Sequence, residues 1–491
     1  MDVSRRFFIG GAASFTALTG CRLFRDEKGA FGGGRPNLTF GVLSDIHIIA
    51  ENVDRGGQGN TRTLEHTFRW FRDQGVDGVL IAGDMADAGL ISQLECVAAA
   101  WEKVFPNDAA PDGRRVEKLF IYGNHDWEGF NYGYHIFGQK SSELVREHLQ
   151  KIGMKKAWEQ TFHEEYQPIY RKDVKGYTFI GGHWDRSNGS QWQHGPDLVS
   201  WMEKNGGTID PKLPFFYFQH PHPKNTCYGP WAWGHDSGNS TCALSPHPNA
   251  IAFSGHSHYT LLDERGFWQG EFTSIGTSSL RYNGRPYDEF AKGTGYENTH
   301  TRRFKDAMLA NDLDTPESRE GMLLKVYDDH ILIERRNFNY DAKLGADLVM
   351  PLPAAESKPF AFAPRAAKAV APEFPEGAKA EVKPLKVKVG EKGKEREVDT
   401  LDVTFPAAKF TDSTRVLNYK VDAETKDGKV VCEKRVLATD YYLPLGMTGR
   451  AGRCGFALSE LPKDAEVRFA VRPAEWFGHL GKPLHTDWSR T

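Results

Sequence analysis

Asp45-Ile46-His47, Gly83-Asp84, Gly123-Asn124-His125-Asp126, His220 and Gly255-His256-Ser257-His258 form five short clusters of carboxylate, amide and imidazole groups along a 491-residue chain. All are groups that bind divalent cations. One carboxylate can be shared between two ions, and two imidazoles in close succession can reach adjacent ions from one short turn. Mixed Asp, Asn and His donors suit manganese, iron or zinc and argue against calcium, which prefers an all-oxygen cage. Two cations ~3.5–4 Å apart clamp the attacking and leaving oxygens of an in-line displacement. The residue types therefore point to hydrolysis of phosphate esters.

Strands must bring these clusters together. Leu38–Leu43 is an apolar run that ends in Ser44-Asp45, and Leu64, Phe68 and Phe71 then recur with a helical period. Val76–Ala82 is a second apolar run, ending in Gly83-Asp84. Ile91–Val104 reads as a helix, and Lys118–Tyr122 as a strand that ends in Gly123-Asn124. Strand, helix, strand, helix, strand implies right-handed crossovers and parallel pairing. Ligands in such sheets collect beyond the carboxyl ends of the strands, where all three clusters fall. Tyr177–Gly182, Phe215–Gln219 and Ile251–Ser254 read as further buried strands; the second delivers His220 and the third delivers His256 and His258.

In this order and at these strand ends, the clusters resemble those of the calcineurin-like metallophosphoesterases over residues 38–340. The resemblance implies an α/β fold, a four-layer α/β/β/α sandwich, and two divalent metal ions. Position by position, Asp45, His47 and His258 would bind one ion, Asn124, His220 and His256 the other, and Asp84 would bridge them. His125 would stabilise or protonate the leaving oxygen, with Asp126 holding its ring. No Tyr follows Asp84 in Gly83-Asp84-Met85-Ala86-Asp87, so the iron–tyrosinate colour of purple acid phosphatases is not expected. Gln219-His220-Pro221-His222-Pro223 offers two candidate ligands; His220 directly ends the strand, and His222 could instead face the phosphate.

Other residues have two readings each. His183 and Asp185 reach the pocket or sit in a surface turn, and Asp87 orients a ligand or caps a turn. Trp231, Trp233 and His235 line a substrate wall or pack within their own loop. Arg281 and Arg302 are phosphate contacts with no motif behind them. Residues 127–165 and 224–249 are long enough to wall a pocket.

The remaining sequence bears on location and domains. Arg5-Arg6 before a short Gly/Ala-rich apolar stretch resembles a twin-arginine export signal, and Leu18–Cys21 resembles a lipobox. Residues 1–37 are therefore expected to be a signal and linker, the protein to be periplasmic or envelope-associated, and Cys21 to offer a lipid anchor. Cys227 with Cys242 and Cys432 with Cys454 are plausible local pairs, and Cys96 a buried free thiol. A net charge of −3 gives no basic field for long nucleic acid. The phosphoesterase domain is expected over 38–350, and a Pro/Ala-rich linker over 351–378. A small all-β sandwich is expected over 379–491, faintly similar to fibronectin type III. Lys379–Glu397 mixes both charges, as in a solvated hairpin. Two other functions fit the same features: a non-catalytic metal-binding scaffold, and an envelope-docking protein whose sandwich binds wall or glycan.

Overall fold

The computed structural model describes residues 34–49, 57–129, 152–187, 194–228, 235–283, 319–389, 395–409, 415–439, 443–444, 447 and 451–491. The export signal, Cys21, Trp231, Trp233 and Arg302 lie outside these residues.

In chain order, the N-terminal region runs β1 (Leu38–Leu43), α1 (Gly57–Asp73), β2 (Gly78–Ala82), α2 (Ile91–Val104), β3 (Glu117–Ile121) and α3 (Asn124–Glu128). It continues with α4 (Met154–Phe162), β4 (Ile169–Val174), β5 (Tyr177–Gly182), α5 (Leu198–Asn205), β6 (Phe215–Gln219), α6 (Asn239–Leu244) and β7 (Ala250–Ser254). Six further strands follow: β8 (Phe267–Gln269), β9 (Thr273–Gly276), β10 (Glu320–Val326), β11 (His330–Asn337), β12 (Ala342–Lys343) and β13 (Leu348–Pro351).

Two sheets result. One has the order β12-β11-β10-β1-β2-β3, with β13 beside β11; the other runs β4-β5-β6-β7-β9-β8. Strands β1, β2 and β3 pair in parallel, as do β5, β6, β7 and β9. Period-two alternation explains how these sheets stack. Leu38, Phe40 and Val42 of β1 meet Phe179, Phe216, Phe218 and Phe253 of the second sheet in one core, while Leu43 faces Leu64, Phe68 and Phe71 of α1. Ile180, Tyr217 and Ala252 on the opposite face of the second sheet pack on Leu198 and Met202 of α5 and on Ala243 and Leu244 of α6. Helices, sheet, sheet, helices: the four layers follow from which face each apolar residue takes. Gly41 admits this packing, because a Cβ there would lie 2.6 Å from the Phe71 ring.

The C-terminal region begins with α7 (Phe362–Ala366) and then forms β14 (Glu381–Val389), β15 (Arg396–Phe405), β16 (Val416–Thr425), β17 (Val430–Leu437), β18 (Gly452–Ala457), β19 (Glu466–Glu475), β20 (Leu484–His485) and β21 (Ser489–Arg490). Sheet β14-β15-β18 and sheet β17-β16-β19-β20, with β21 also on β19, enclose a core of Leu401, Val403, Tyr419, Val421, Phe456 and Phe469. This is an all-β sandwich. The hairpin β14–β15 carries the mixed-charge segment, with Lys383 and Lys386 exposed.

Two expectations change. Part of the Pro/Ala-rich stretch is packed: Phe360 is buried, its N–H donates to Gln269 Oε1 (3.1 Å), and Arg365 Nη1 donates to Glu264 O and Phe267 O, both at 3.1 Å. Apolar residues between the prolines account for it. The cysteine pairs are not formed either. Cys227 is buried, with Sγ 3.3 Å from Gly266 O and 3.4 Å from Ser274 Oγ, whereas Cys242 is exposed; Cys432 and Cys454 are also free thiols.

Candidate metal centre

Three of the five clusters leave the end of a strand through a sharply turned backbone. Asp45, His47, Asp84, His256 and His258 all have positive φ, between 47° and 71°. That conformation is costly for residues with a Cβ and is held only where surrounding contacts over-determine it. Here the contacts are visible. Asp45 N donates to Gly83 O (3.0 Å), His47 N to Asp84 O (3.0 Å), and Gly255 N to His220 O (2.9 Å), so the strand-end turns tie one another together. His256 N donates to Asp45 Oδ2 at 3.0 Å. Glycines let the turns approach: a Cβ on Gly83 would lie 2.7 Å from His220 Nδ1, one on Gly123 would overlap Asp84, and one on Gly255 would overlap Ser44 and Asp45.

Two groups of donors result. Asp45 Oδ1 lies 2.9 Å from His258 Nε2 and 3.8 Å from His47 Nε2, and the two imidazole nitrogens are 3.1 Å apart. Across the centre, His256 Nδ1 lies 3.2 Å from His220 Nε2 and 3.0 Å from Asn124 Oδ1. Asp84 Oδ2 stands between them, 3.6 Å from His47 Nε2 and 3.1 Å from His220 Nε2. The seven residues expected as ligands are thus in one place. His222 is not among these groups: its Nδ1 meets Ser254 Oγ at 2.7 Å, and its ring packs on Tyr228.

The donor chemistry tests whether a metal fits. His220 Nδ1 faces Ala82 O at 2.8 Å, an acceptor only, so that nitrogen carries the proton and Nε2 presents a lone pair. His47 Nδ1 faces Asp87 Oδ1 at 3.1 Å, with the same result. Lone pairs of two imidazoles and oxygens of two carboxylates therefore converge in a buried space, which is stable only around positive charge. Two divalent cations fit this set, with Asp84 shared. Without them protons must serve: burial opposes charge on His47, but Asp45, Asp87 and Asp84 push its pKa up to about 10, and Asp84 and Asp45 push buried His220 up to about 9. Burial also opposes charge on Asp45, yet His258 and His47 hold it well below the usual carboxylate range.

The profile of the calcineurin-like phosphoesterases matches residues 38–260. That segment is a calcineurin-like phosphoesterase domain. No curated protein matches the chain. Similar solved structures include a dimetal phosphatase from Danio rerio, 14% identical with a TM-score of 0.37, covering 64% of this chain and 99% of that one. Another is purple acid phosphatase PPD1 from yellow lupin (Lupinus luteus), 13% identical with a TM-score of 0.38, covering 66% and 56%.

One contact in the phosphoesterase domain differs from expectation. Asp126 does not hold the His125 ring. Its carboxylate accepts N–H bonds from Ala86 (2.7 Å), Gly123 (2.8 Å) and Met85 (3.2 Å), stapling the turns after β2 and β3. The reason is position: Asp126 is the third residue of α3 and points back at the helix start, as acidic residues there commonly do. His125 is oriented instead by the Asp87 carbonyl, 2.8 Å from Nδ1, and offers a ring nitrogen within 4.8 Å of donors on His47 and Asp84.

The remaining candidates separate clearly. Asp87 orients a ligand, and Arg281 is engaged with that carboxylate rather than held for phosphate. His183 and Asp185 are buried away from the donors: His183 Nδ1 accepts from Tyr122 N (3.0 Å), and Asp185 accepts from Tyr166 Oη (2.7 Å). His235 has its ring centre 4.8 Å from that of His256. Sequence reasoning missed Tyr282, whose ring lies 4.5 Å from His258, and Ser279, whose hydroxyl donates to Asp45 O at 2.9 Å. Neither sits in a motif, so only the folded chain reveals them.

Proposed function

We propose that this metal-dependent phosphoesterase hydrolyses phosphodiester or phosphomonoester bonds at a dinuclear centre held by Asp45, His47, Asp84, Asn124, His220, His256 and His258. The convergence of both donor groups on one shared carboxylate, Asp84, carries the reading. Bound there, two divalent cations supply Lewis acidity and acidify water near neutral pH. The chain's own residues do the rest. Asp84 offsets the mutual repulsion of the ions. Asp87 and Ala82 O fix the tautomers of His47 and His220, so the correct nitrogens face inward. The Asp87 carbonyl likewise keeps the neutral His125 proton on Nδ1, so Nε2 carries the lone pair that exchanges a proton with the reacting oxygens. Burial lowers the His125 pKa, so an imidazolium formed there readily passes its proton to a leaving oxygen.

The paired arginines and the lipobox-like Leu18–Cys21 support action outside the cytoplasm, with Cys21 as a lipid anchor. The deciding experiment is turnover of bis-p-nitrophenyl phosphate and p-nitrophenyl phosphate by manganese-loaded protein beside His125→Ala and Asp84→Asn. Both substitutions are expected to lower kcat by at least ~10²-fold. Wild-type protein that binds metal stoichiometrically but turns over neither ester would overturn the proposal.

A further inference from the structure

The C-terminal sandwich reaches the metal-ligand turn through a buried stack. Trp476 follows β19 directly and is anchored in its own domain by Leu417 and Leu437. Glu475 shapes the turn that presents it, accepting from Phe477 N and His479 N, each at 2.7 Å. The Trp476 ring lies over the guanidinium of Arg265, 5.7 Å from its centroid. Arg265 is 1% exposed and is gripped by Asp263, with Nη2–Oδ2 at 2.6 Å and Nε–Oδ1 at 2.9 Å. The same guanidinium stacks on Tyr259 at 5.6 Å and on Tyr228 at 5.8 Å.

Those two tyrosines belong to the catalytic region. Tyr259 immediately follows His258, and Tyr228 packs at 4.8 Å on both Tyr259 and His222. Tyr228 N also donates to Arg265 O at 3.1 Å. Gly266 and Gly276 make room for it, since a Cβ there would lie 2.6 Å and 2.9 Å from its hydroxyl. The turn from Gly255 to Tyr259 is thus confined on one side by Ser44 and Asp45 and on the other by the tyrosines, Arg265 and Trp476.

We propose that the sandwich is a positioning element of the metal centre: Trp476 clamps Arg265, which through Tyr228 and Tyr259 fixes the turn that carries His256 and His258. The inference rests on the metal reading above and deepens it. A buried cation ringed by aromatic faces has one favourable place, so removing one face frees it to move. Trp476 and Arg265 are positioning residues; they touch no donor atom.

The test uses full-length protein. Trp476→Ala, Trp476→Leu and Phe477→Ala are compared with wild type by rate of manganese release to a chelator, and by amide hydrogen exchange of residues 255–260 in metal-free protein. Phe477 packs beside Trp476 on Leu417 and Leu437 and contacts Phe362 and Arg365, so its loss loosens the same domain contact without removing an aromatic face from Arg265. Trp476→Ala is expected to speed metal release and exchange about tenfold, with kcat falling and KM within twofold. Phe477→Ala should leave all of these within twofold. If Trp476→Ala does not fold, Trp476→Leu decides, because it keeps apolar volume without an aromatic face. Wild-type release and exchange rates in the folded Trp476 variants, or equal effects at Phe477, would overturn the proposal. Wild-type protein that binds no metal would overturn the metal reading instead.

Discussion

The carboxylates that would help hold cations also favour protonation of His47 and His220. Their raised pKa values, about 10 and about 9, arise because buried carboxylates outweigh the desolvation that opposes imidazolium. A metal ligand must be neutral at the binding nitrogen, so ions have to displace these protons. Manganese loading at pH 7 is therefore expected to release about two protons per centre, and metal affinity to rise with pH until roughly 9–10. Calorimetric titration in buffers of different ionisation enthalpy measures the count; no release would show that the imidazoles are neutral before loading. Asp126 gives a second residue-scale expectation. Because it accepts three backbone N–H bonds, Asp126→Ala leaves buried donors unpaired and should cost about 3 kcal/mol of stability and weaken metal binding. A loss of kcat at unchanged stability and metal content would restore the ring-holding role.

The elements that matter most at this centre are turns rather than helices or strands. Gly255 sits where a Cβ would overlap Ser44 and Asp45, just before His256 at φ 71°. Gly255→Ala is expected to displace the whole turn and lower metal occupancy below half, whereas Gly207→Ala, with nothing within 4 Å, should change occupancy little. Metal analysis after desalting separates the outcomes; full occupancy in Gly255→Ala would mean the turn tolerates a shift. The strands that feed these turns were legible in the sequence because runs such as Leu38–Leu43 and Phe215–Gln219 are buried on both faces and read as continuous apolar stretches. Helix α2 was legible to the residue, since Ile91, Leu94, Val97, Trp101 and Val104 keep a helical period. The antiparallel addition of β10 to β1 was not legible, nor was β18, as pairing between strands distant in sequence leaves no periodic mark. At the site, the donor set was readable from spacing after strands, while the partner of His125 depended on an Asp87 carbonyl that no side-chain pattern reveals.

Over the whole molecule, burial of neutral histidines links stability to acid. Burial pushes His183 and His194 down to about 3, aided by the positive charge each would place beside other histidines. His183 Nδ1 already accepts an amide bond, and His194 has no hydrogen-bond partner at either ring nitrogen among the described residues, so protonating them inside the fold gains little. The sign follows directly. Unfolded, each binds a proton below about 6.5, and folded it does not until about 3, so the unfolded state holds the excess protons in that window. Stability from each is present in full above pH ~6.5 and is lost as pH falls, at up to about 1.4 kcal/mol per pH unit. Metal loss at low pH acts in the same direction, so wild type alone cannot separate the two effects. His194→Leu can, because it keeps a similar buried volume, does not titrate and lies outside the donor set. The stability gap between His194→Leu and wild type is expected to widen in favour of the variant from pH 7 to pH 4, by about one proton's worth of slope. Urea midpoints at matched pH and metal content measure the gap; a difference constant with pH would show that His194 titrates alike in both states.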